Sequence, residues 1–441
     1  MGKYYRVIFE EYDTQAEATE QDNIILEGEV HAPSNCLDFG ISHETQITVI
    51  RKIQDKILAL QAGDVAFRDN KCDKCSDGVL KKHGFNTSWY YDVFSDHRVK
   101  LPRRRCKDCG HVASSTVTGM LGNALSGELM KIQSELGANY SYRDSENLIN
   151  AFSHHKRRVN NHEKIHDTSE LTGQSLSRLN TEEEDVCLAE QAAELIVHVD
   201  GGHIKSSEDD KRSFEAMAAA VYRPESISSN SKDTRNTITS KHCAASALSD
   251  AQEQMKRRTI IAALKQGMTP ETKITALCDG ADNCWSIIDA LEPLSSSVTR
   301  ILDWFHLSMK IQNISLPDKI KPKLTRIKWH LWRGNTERAI RRIDELMPLS
   351  SGVSKKRLEK LKNYIENNQS KIINYKERHD KGLTFTSNLA ESTIESLINQ
   401  RCKGQQHMRW SREGLDPILQ LRAAIASNDW DKKWKTVVLS A

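Results

Sequence analysis

Three acidic residues have the side chains and the sequence settings of a two-metal site. Asp200 and Asp279 each follow an apolar run, LIVHV and ITALC, and each precedes a glycine. Glu391 lies in SNLAES, where a polar segment passes into a helical pattern. Two divalent cations held about 4 Å apart by such carboxylates activate water or a 3′-hydroxyl and stabilise the leaving oxygen in phosphodiester chemistry. We predict two Mg²⁺ ions, with Mn²⁺ as a substitute, because carboxylate-only sites favour hard cations.

Each carboxylate also has an ordinary structural explanation. Strands often end in Asp-Gly turns that bind no metal. Asn388-Leu-Ala-Glu391 has the spacing of a capping box, in which the glutamate reaches back to the N-cap amide. Glu395, one helical turn later, is the alternative third ligand. The metal interpretation is favoured because both aspartates and a downstream acidic helix occur together.

Asp303 and His306 form an Asp-x-x-His pair after the next strand pattern. Asp303 could replace Asp279 as the second catalytic carboxylate. We prefer Asp279 because its apolar strand is longer and a glycine follows it. Asp303 and His306 are then expected near the site, orienting it or linking it to the helical block that follows, although His306 is equally typical of a structural histidine.

Four cysteines occur as two CxxC pairs, Cys72/Cys75 and Cys106/Cys109. Four thiolates at this spacing predict a closed tetrahedral Zn²⁺ site of the structural type. The aromatic and β-branched residues between the pairs would supply the hairpin of a zinc ribbon. The alternative is a redox-active or merely buried set of cysteines.

Composition describes a polar chain without a membrane-spanning segment. Of the 441 residues 28% are charged, the mean hydropathy is −0.59 and the net charge is +3. No run approaches the roughly 20 apolar residues of a spanning helix, and the N-terminus alternates where a signal peptide would be continuously apolar. Ten cysteines without export signals suggest reduced thiols or metal ligands. We therefore expect no membrane partner and a cytoplasmic location.

Charge is divided unevenly along the chain. Residues 1–50 carry ten acidic and two basic residues, a net of −8, whereas residues 301–381 carry nineteen basic and nine acidic residues, a net of +10. The second segment is the predicted polyanion-facing surface, or else a set of solvated helix faces. Tryptophans within it could stack on an unpaired base, although tryptophans are more often core residues. The candidate nucleic-acid contacts are Arg103, Arg104, Arg105, Lys156, Arg157, Arg158, Lys328, Trp332, Arg333, Arg401, Lys403, Arg409 and Trp410.

The hydrophobic patterns predict several domains. Three strand patterns followed by alternating helix and strand between residues 195 and 303 predict a mixed α/β sheet flanked by helices. The expected organisation is 1–69, a β/α segment of unassigned role; 70–115, the zinc ribbon; 124–165, a helix-turn-helix-like segment; 166–186, a polar linker; 190–305 with 382–425, the α/β core; and 306–381, a basic all-helical insertion. The helix-turn-helix pattern suits major-groove binding but is also common in plain helical bundles.

These motifs together resemble the DDE transposases of bacterial insertion sequences, most closely the ISKra and ISL types. The similarity rests on HVDGGHIK, CDGADNCW, the Asp-x-x-His pair, SNLAES, the tail GQQHMRWSREGLDPILQLRAA and the upstream SYRDSENLI, and covers about residues 70–425. Residues 1–69 carry no such resemblance.

The resemblance implies an RNase H-like catalytic core with Asp200, Asp279 and Glu391 as its triad. It implies Mg²⁺-dependent cleavage at transposon ends and transfer of the 3′-OH to target DNA, by at least a dimer on double-stranded DNA in the bacterial nucleoid. Two alternatives remain open from the sequence. One is a transposase-derived DNA-binding regulator without activity, and the other is a structure-selective metal-dependent nuclease that cuts without joining.

Overall fold

The computed structural model of the protein describes most of the chain. The described residues are 3–9, 24–36, 39–65, 71–75, 78–113, 124–182, 190–209, 211–229, 236–317, 319–403 and 408–440. The chain divides into two compact units, Met1–Gln133 with Tyr142–Thr168 and Ser134–Ser141 with Ser169–Ala441.

The first unit contains two small antiparallel sheets. Its elements are β1 (Lys3–Ile8), β2 (Ile24–Val30), α1 (His43–Val65), β3 (Leu80–Tyr91), β4 (Asp96–Cys106) and β5 (Val112–Ala113). β1 pairs with β2, and β4 lies between β3 and β5. Ala62 of α1 packs against the buried Val99 and Leu101 of β4, so the hairpin and the helix share a small apolar core. This agrees with the β-rich start, the helix and the ribbon expected from the sequence.

Three helices follow the ribbon: α2 (Gly127–Asn139), α3 (Tyr142–Phe152) and α4 (His162–Glu182). The turn between α2 and α3 falls within the segment 124–165 for which a helix-turn-helix pattern was expected. The basic cluster at 154–158 is not helical and lies in the connection from α3 to α4. The prediction of a linker at 166–186 is wrong as far as Glu182, because α4 covers that part, and residues 183–189 lie outside the described residues.

The main sheet of the second unit is mixed and has five strands. Its strands are β6 (Glu194–Lys205), β7 (Ser213–Tyr222), β10 (His242–Ser246), β11 (Lys273–Cys278) and β12 (Ser297–Leu302), in the spatial order β10-β7-β6-β11-β12. β7 runs antiparallel to β6 and β10, whereas β11 is parallel to both β6 and β12. β8 (Ile227–Ser229) and β9 (Asn236–Ile238) pair as a separate short antiparallel sheet after β7.

Both faces of this sheet are covered, which explains the continuous apolar runs of its strands. Val197 and Val199 of β6 face a cluster built with α5 (Glu253–Lys265) and α6 (Asp282–Asp289). Ile196 lies on the opposite face, in a cluster with the helices that follow β12. Since side chains alternate along a strand, Asp200 shares the second face with Ile196.

The segment after β12 is helical, as predicted. It contains α7 (Trp304–Gln312), α8 (Lys321–Trp332), α9 (Thr336–Leu346), α10 (Gly352–Asn367) and α11 (Tyr375–Asp380). The chain then returns through α12 (Asn388–Glu395), a π-helical turn (Ser396–Gln400), α13 (Arg412–Ala426) and α14 (Trp430–Ser440). α12 is the helix that carries Glu391.

Candidate functional site

The four predicted zinc ligands lie together in the first unit. The Sγ atoms of Cys72, Cys75, Cys106 and Cys109 all lie within 4.8 Å of one another. The Cys72–Cys109 and Cys75–Cys106 sulfur pairs are each 3.6 Å apart. Tetrahedral Zn²⁺ with Zn–S bonds of about 2.3 Å places its sulfurs about 3.8 Å apart. The quartet therefore fits a structural zinc ion.

The backbone around these cysteines is shaped for thiolates. The Cys72 amide donates to the Gly78 carbonyl at 2.9 Å, which closes the first knuckle. A Cβ atom at Gly78 would lie 2.4 Å from the Cys106 sulfur, so the chain approaches the quartet too closely for any side chain there. A backbone hydrogen bond from Cys109 lowers the pKa of Cys106 to about 7, whereas the neighbouring Cys106 side chain raises the pKa of Cys75, so Cys106 is the favoured thiolate of the metal-free quartet. The nine described cysteines form no disulfide.

Asp200 and Asp279 occupy neighbouring positions on adjacent strands of the second unit. β11 is parallel to β6, and its last residue, Cys278, is in register with Val199. The next residue on each strand is one of the two aspartates, so they meet where the parallel pairing ends. β6 itself continues to Lys205, paired there with β7, and so does not end at Asp200 as the sequence suggested. Carboxyl ends of parallel strands are where α/β sheets place ligands.

Asp200 lies among other charged groups, two of which are carboxylates. Burial raises the pKa of Asp200, the charges of Asp279 and Asp303 raise it further, and His306 and the Gly201 amide oppose that shift. The Gly201 amide donates to Asp200 Oδ1 at 2.8 Å, and the Ala281 amide donates to Asp279 Oδ1 at 2.9 Å. A bound cation would be the largest local charge and would reverse this pKa shift. The pair thus has the electrostatics of a cation-binding site.

Asp303 is fully buried and serves as a junction between elements. Its Oδ atoms accept hydrogen bonds from the Ser387 amide at 2.8 Å and the Ser387 hydroxyl at 2.7 Å. His306 Nδ1 lies 2.7 Å from Asp303 Oδ2. Burial would raise the pKa of Asp303, but the hydrogen bonds from His306 and Ser387 outweigh it and lower the pKa to about 2. With both oxygens engaged, Asp303 is placed to orient its neighbours rather than to bind metal.

His306 links this junction to the two aspartates. Burial disfavours its charge, yet the hydrogen bond to Asp303 and the charges of Asp303, Asp200 and Asp279 raise the pKa of the imidazole. Its side chain keeps 27% of its surface exposed. With its pKa raised, the imidazole acts as a proton donor at the ring nitrogen opposite Asp303.

The helix that carries Glu391 is tied to the site at three points. Ser387 bonds to Asp303 immediately before α12. Lys241 Nζ donates to Thr393 Oγ1 of α12 at 2.8 Å. A Cβ atom at Gly202 would lie 2.8 Å from Ile398 Cγ2, so the π-helical turn rests directly on β6. The backbone of Glu391 is thereby positioned, whereas its side chain lies outside the described residues.

The first residues of α12 argue against the capping-box explanation of Glu391. The N-cap is Ser387 rather than Asn388, and it makes no side-chain cap hydrogen bond because its hydroxyl is committed to Asp303. Glu391 is consequently the fourth helical residue, one position beyond the capping-box glutamate. Glu395 is exposed. Among the described side chains, the cysteine quartet is the one group of three or more potential ligands already within metal-binding distance.

Some predicted nucleic-acid contacts are buried, and for these the prediction is wrong. Arg401 is 2% exposed, and its Nε donates to the Gly137 carbonyl at 3.1 Å. Its guanidinium lies over the buried ring of Trp410, 5.1 Å from the ring centroid. Trp332 is half-buried, with Trp304 4.8 Å away between ring centroids. Arg401 and Trp410 pack within the second unit, whereas Trp332 keeps part of its surface exposed and stays a candidate for stacking.

The other predicted contacts remain accessible in whole or in part. Lys156, Arg157, Arg158, Arg105, Arg333, Lys403 and Arg409 are exposed, and Arg103, Arg104 and Lys328 are half-buried. Trp329, one residue after Lys328, is 54% exposed and is the better candidate for stacking.

Sequence reasoning missed two residues of the insertion that contact the Asp279 turn. Tyr364 of α10 donates its hydroxyl hydrogen to the Asp279 carbonyl. Asn368 lies close enough that its Nδ2 would be 3.0 Å from a Cβ atom at Gly280. No sequence signal identifies either residue, since each lies about 85 positions from the turn it contacts.

No protein-family model matches the chain, and no curated protein matches it. Within the described residues, no helix combines the length and apolar character required to cross a membrane. The chemistry of the two candidate centres is therefore inferred from their own geometry.

Proposed function

We propose that the protein is a metal-dependent DNA strand transferase of the DDE transposase type, with Asp200, Asp279 and Glu391 as its catalytic triad. The observation that carries the proposal is the juxtaposition of Asp200 and Asp279 at the end of the β6–β11 parallel pair. Two carboxylates that lie next to each other and are partly buried favour the binding of hard divalent cations. Their neighbours His306 and Asp303 form the Asp-x-x-His element of the resemblance.

The fold supports the same proposal. A mixed sheet flanked by helices is the architecture that an RNase H-like core requires, and here only β7 runs against the other four strands of the main sheet. A helical block separates the second aspartate from the returning helix, as the resemblance implies. The three anchors at Ser387, Thr393 and Ile398 bring α12 to the face of β6 that carries Asp200.

The triad would hold two Mg²⁺ ions, or Mn²⁺ in their place. Bound there, the ions would lower the pKa of water or of a 3′-hydroxyl and would stabilise the charge on the departing oxygen. The chain's own contribution is positional: the Gly201 and Ala281 amides orient the two aspartates. His306, held by Asp303, adds a proton-bearing group whose pKa is raised in the same cleft.

Zn²⁺ in the cysteine quartet would have a structural role in the first unit. A closed four-thiolate site leaves no open coordination position for substrate. It would fix the β3–β4 hairpin, whose second strand carries Arg103, Arg104 and Arg105. We propose double-stranded DNA as the partner of this surface, with at least two copies of the chain acting on a pair of ends, in the bacterial cytoplasm.

The proposal is tested by measuring metal binding and strand cleavage on the same set of variants. Mn²⁺ binding is measured by paramagnetic resonance for wild type, Asp200→Asn, Asp279→Asn and Glu391→Gln. Cleavage and joining are measured on a labelled duplex carrying the DNA that flanks the coding sequence. We expect wild type to bind Mn²⁺, release a 3′-OH strand and join it to target DNA, and the three variants to lose both metal binding and cleavage.

Glu395→Gln is the matched control, because Glu395 lies one turn further along α12 and is exposed. It should behave as wild type. Loss of activity in Glu395→Gln with retention in Glu391→Gln would transfer the third ligand to Glu395. Cleavage without joining would make the protein a nuclease. DNA binding by a wild-type protein that neither binds Mn²⁺ nor cuts would favour the regulator instead.

A further inference from the structure

A large polar cavity lies in the first unit, away from the cysteine quartet. Its volume is about 920 Å³. Its walls are α1, the β3–β4 turn at Ser95, α3, the connection 153–161 and the first residues of α4. None of the residues in the proposed catalytic triad or the zinc site lines it.

The cavity lining is unsuited to an apolar ligand or to a protein anchor. Among the seventeen described residues that line it, Ile47 is the one hydrophobic residue, and none is tyrosine, tryptophan or phenylalanine. Small-molecule pockets are mostly apolar, and protein interfaces depend on buried aromatic or aliphatic anchors. Interfaces with nucleic acids are polar and positively charged, and this lining is polar, with four lysine and arginine residues against the three carboxylates of Glu44, Glu146 and Glu163.

Cations at the cavity are not neutralised by their neighbours. Arg51, Lys156 and Arg158 line it, and no ion pair to any of the three is found among the described residues. Glu146, one of the cavity's carboxylates, is occupied by the amide and ring of His162, at 2.9 and 3.0 Å. An anion from outside the chain would therefore find uncommitted positive charge.

A fourth cation is held in a fixed orientation. The Arg157 guanidinium carbon lies 4.1 Å from the ring centroid of Trp89. Stacking on an aromatic face restrains the planar guanidinium while leaving its N–H edge free for a phosphate. Arg157 thus extends the cationic surface from the cavity onto the β3–β4 hairpin.

The loop that carries these cations is supported by buried hydrogen bonds. Asp96, 3% exposed, accepts hydrogen bonds from the Lys156 and Arg157 amides at 2.9 and 3.2 Å. His155 is held between the Asp92 carbonyl, 2.9 Å from Nε2, and Asn160, 3.0 Å from Nδ1. A loop fixed in this way loses little conformational entropy when its side chains bind a ligand.

We infer that this cavity binds the sugar-phosphate backbone of duplex DNA, through the rigid connection 153–161 and not through a recognition helix. The inference rests on the proposed function for the identity of the polyanion. Lys156, Arg157 and Arg158 contact phosphates and fix the position of the first unit on the duplex. Phosphate contacts carry no base information, so binding here is independent of sequence.

The double variant Lys156→Gln/Arg158→Gln tests the inference. Affinity for a fluorescent duplex of random sequence is measured without added Mg²⁺ across a range of salt concentrations. Each phosphate contact contributes about 0.9 to the slope of log affinity against log salt. We expect the slope to fall by about 2 and binding to weaken equally on unrelated duplexes.

Arg143→Gln/Lys74→Gln is the matched control, because it removes one arginine and one lysine from exposed positions of the first unit that lie outside the cavity and outside the β3–β4 hairpin. It should retain the wild-type slope, as should the charge-preserving exchange Lys156→Arg/Arg158→Lys. Equal slopes for the two Gln double variants would overturn the inference.

Because duplex binding is measured without Mg²⁺, this inference and the proposed function can fail independently of each other. A protein that binds duplex DNA through Lys156 and Arg158 but never cuts it would overturn the strand-transferase proposal and leave the cavity assignment in place. A protein that cuts normally while the double variant binds as tightly as wild type would overturn the cavity assignment alone.

Discussion

The hydroxyl of Tyr364 donates a hydrogen bond to the backbone carbonyl of Asp279. Tyr364 belongs to α10, in the helical insertion, whereas Asp279 ends a strand of the sheet. The turn after Asp279 passes through Gly280 at φ +97°, a conformation that other residues adopt with strain. Asn368, one turn after Tyr364, donates to the Tyr364 carbonyl at 3.0 Å and completes the contact. The insertion therefore helps to position a proposed metal ligand.

Tyr364→Phe should weaken divalent-metal binding without removing the carboxylates. Burial, and then the charges of Asp279 and Asp303, raise the pKa of Tyr364, so it acts as a donor throughout the accessible pH range. Losing one buried hydrogen bond costs about 0.5–1.5 kcal/mol. We expect a several-fold weaker Mn²⁺ affinity, measured by titration calorimetry, and a higher Mg²⁺ concentration for half-maximal cleavage.

Tyr375→Phe provides a closely matched comparison. Tyr375 is fully buried, and its hydroxyl donates to the Leu302 carbonyl at 2.7 Å, also at a strand end. The two variants should lose similar free energy of unfolding, but Tyr375→Phe should keep wild-type Mn²⁺ affinity. If both variants lost metal affinity equally, the effect of Tyr364 would be one of general stability and not of ligand position.

The protein should contain one Zn²⁺ per chain, held by the cysteine quartet. Cys106→Ser should reduce the zinc content, measured by atomic emission, to near zero. Structural zinc sites contribute their binding free energy to folding, so the variant should also lose amide protection in β3–β5. Zinc should be released on acidification, because thiolate ligands must be deprotonated to bind metal.

Cys36→Ser is the control for this experiment, since Cys36 is exposed and does not belong to the quartet. It should retain one equivalent of zinc and wild-type stability. Wild-type protein that is folded and zinc-free under reducing conditions would contradict the assignment.

The succession of strands along the chain and the place of Asp200 and Asp279 beside two of them could be predicted because these strands contain short, uninterrupted apolar runs. The run Ile274–Cys278 appears in the sheet at nearly the predicted bounds, and the run Leu195–Val199 forms the first part of a strand that continues to Lys205. The cysteine quartet was predictable for a different reason, as its spacing is itself the signal. In both cases the information is local in sequence.

Burial of charged and aromatic residues could not be predicted in this way. Arg401 and Trp410 follow a typical nucleic-acid-binding composition, but their environment is set by contacts with distant segments. The Arg401 side chain bonds to a carbonyl 264 positions away, and Trp410 extends the sheet by bridging to Ser206. The role of Tyr364 depends in the same way on a contact that exists only once the insertion has folded.

The His97 network should make the first unit sensitive to pH. Burial opposes charge on His97, but its hydrogen bonds to Asp92 and Asp55, at 3.0 and 2.7 Å, raise its pKa above 6.5. Its stabilising contribution is fully present below pH 6.5 and is lost as pH rises through the raised folded-state value. Hydrogen exchange of the β3–β4 hairpin, corrected for the intrinsic rate, should show falling protection from pH 6.5 to 8.5.

Asp92 gives the opposite dependence at low pH. Burial alone would raise its pKa, but hydrogen bonds from His97 and from the Ser95 and Phe94 amides lower it below 3.8. Its contribution to stability is present above pH 3.8 and is lost as pH falls through the folded-state pKa.

His97→Gln should flatten the pH dependence of protection in the β3–β4 hairpin between pH 6.5 and 8.5. His83→Gln, at an exposed position of β3, should leave that dependence unchanged. A wild-type slope in His97→Gln would contradict this account.

Helix α4 has the polar composition of a linker although it is a packed helix. Apart from the buried Ile165 and Leu176, its buried face is built from hydroxyl and small residues, with Thr172 and Ser175 at most 1% exposed. Ser134 donates to Thr172 at 3.0 Å, which satisfies these polar groups inside the second unit. Composition alone does not distinguish such a face from a solvated segment, because the distinction lies in the partner surface.

Gly173→Ala should destabilise the second unit because α4 lies against α13 at this glycine. A Cβ atom there would be 2.2 Å from the Pro417 carbonyl oxygen, a backbone atom that cannot rotate away. Overpacking of this kind costs about 1–3 kcal/mol. Gly63→Ala is the matched control, since Gly63 is also helical and has nothing within 4 Å of its Cβ position. It should stabilise the protein by about 0.4–1 kcal/mol. Urea unfolding of both variants should give changes of opposite sign, and a stabilised Gly173→Ala would show that α4 does not pack on α13 in solution.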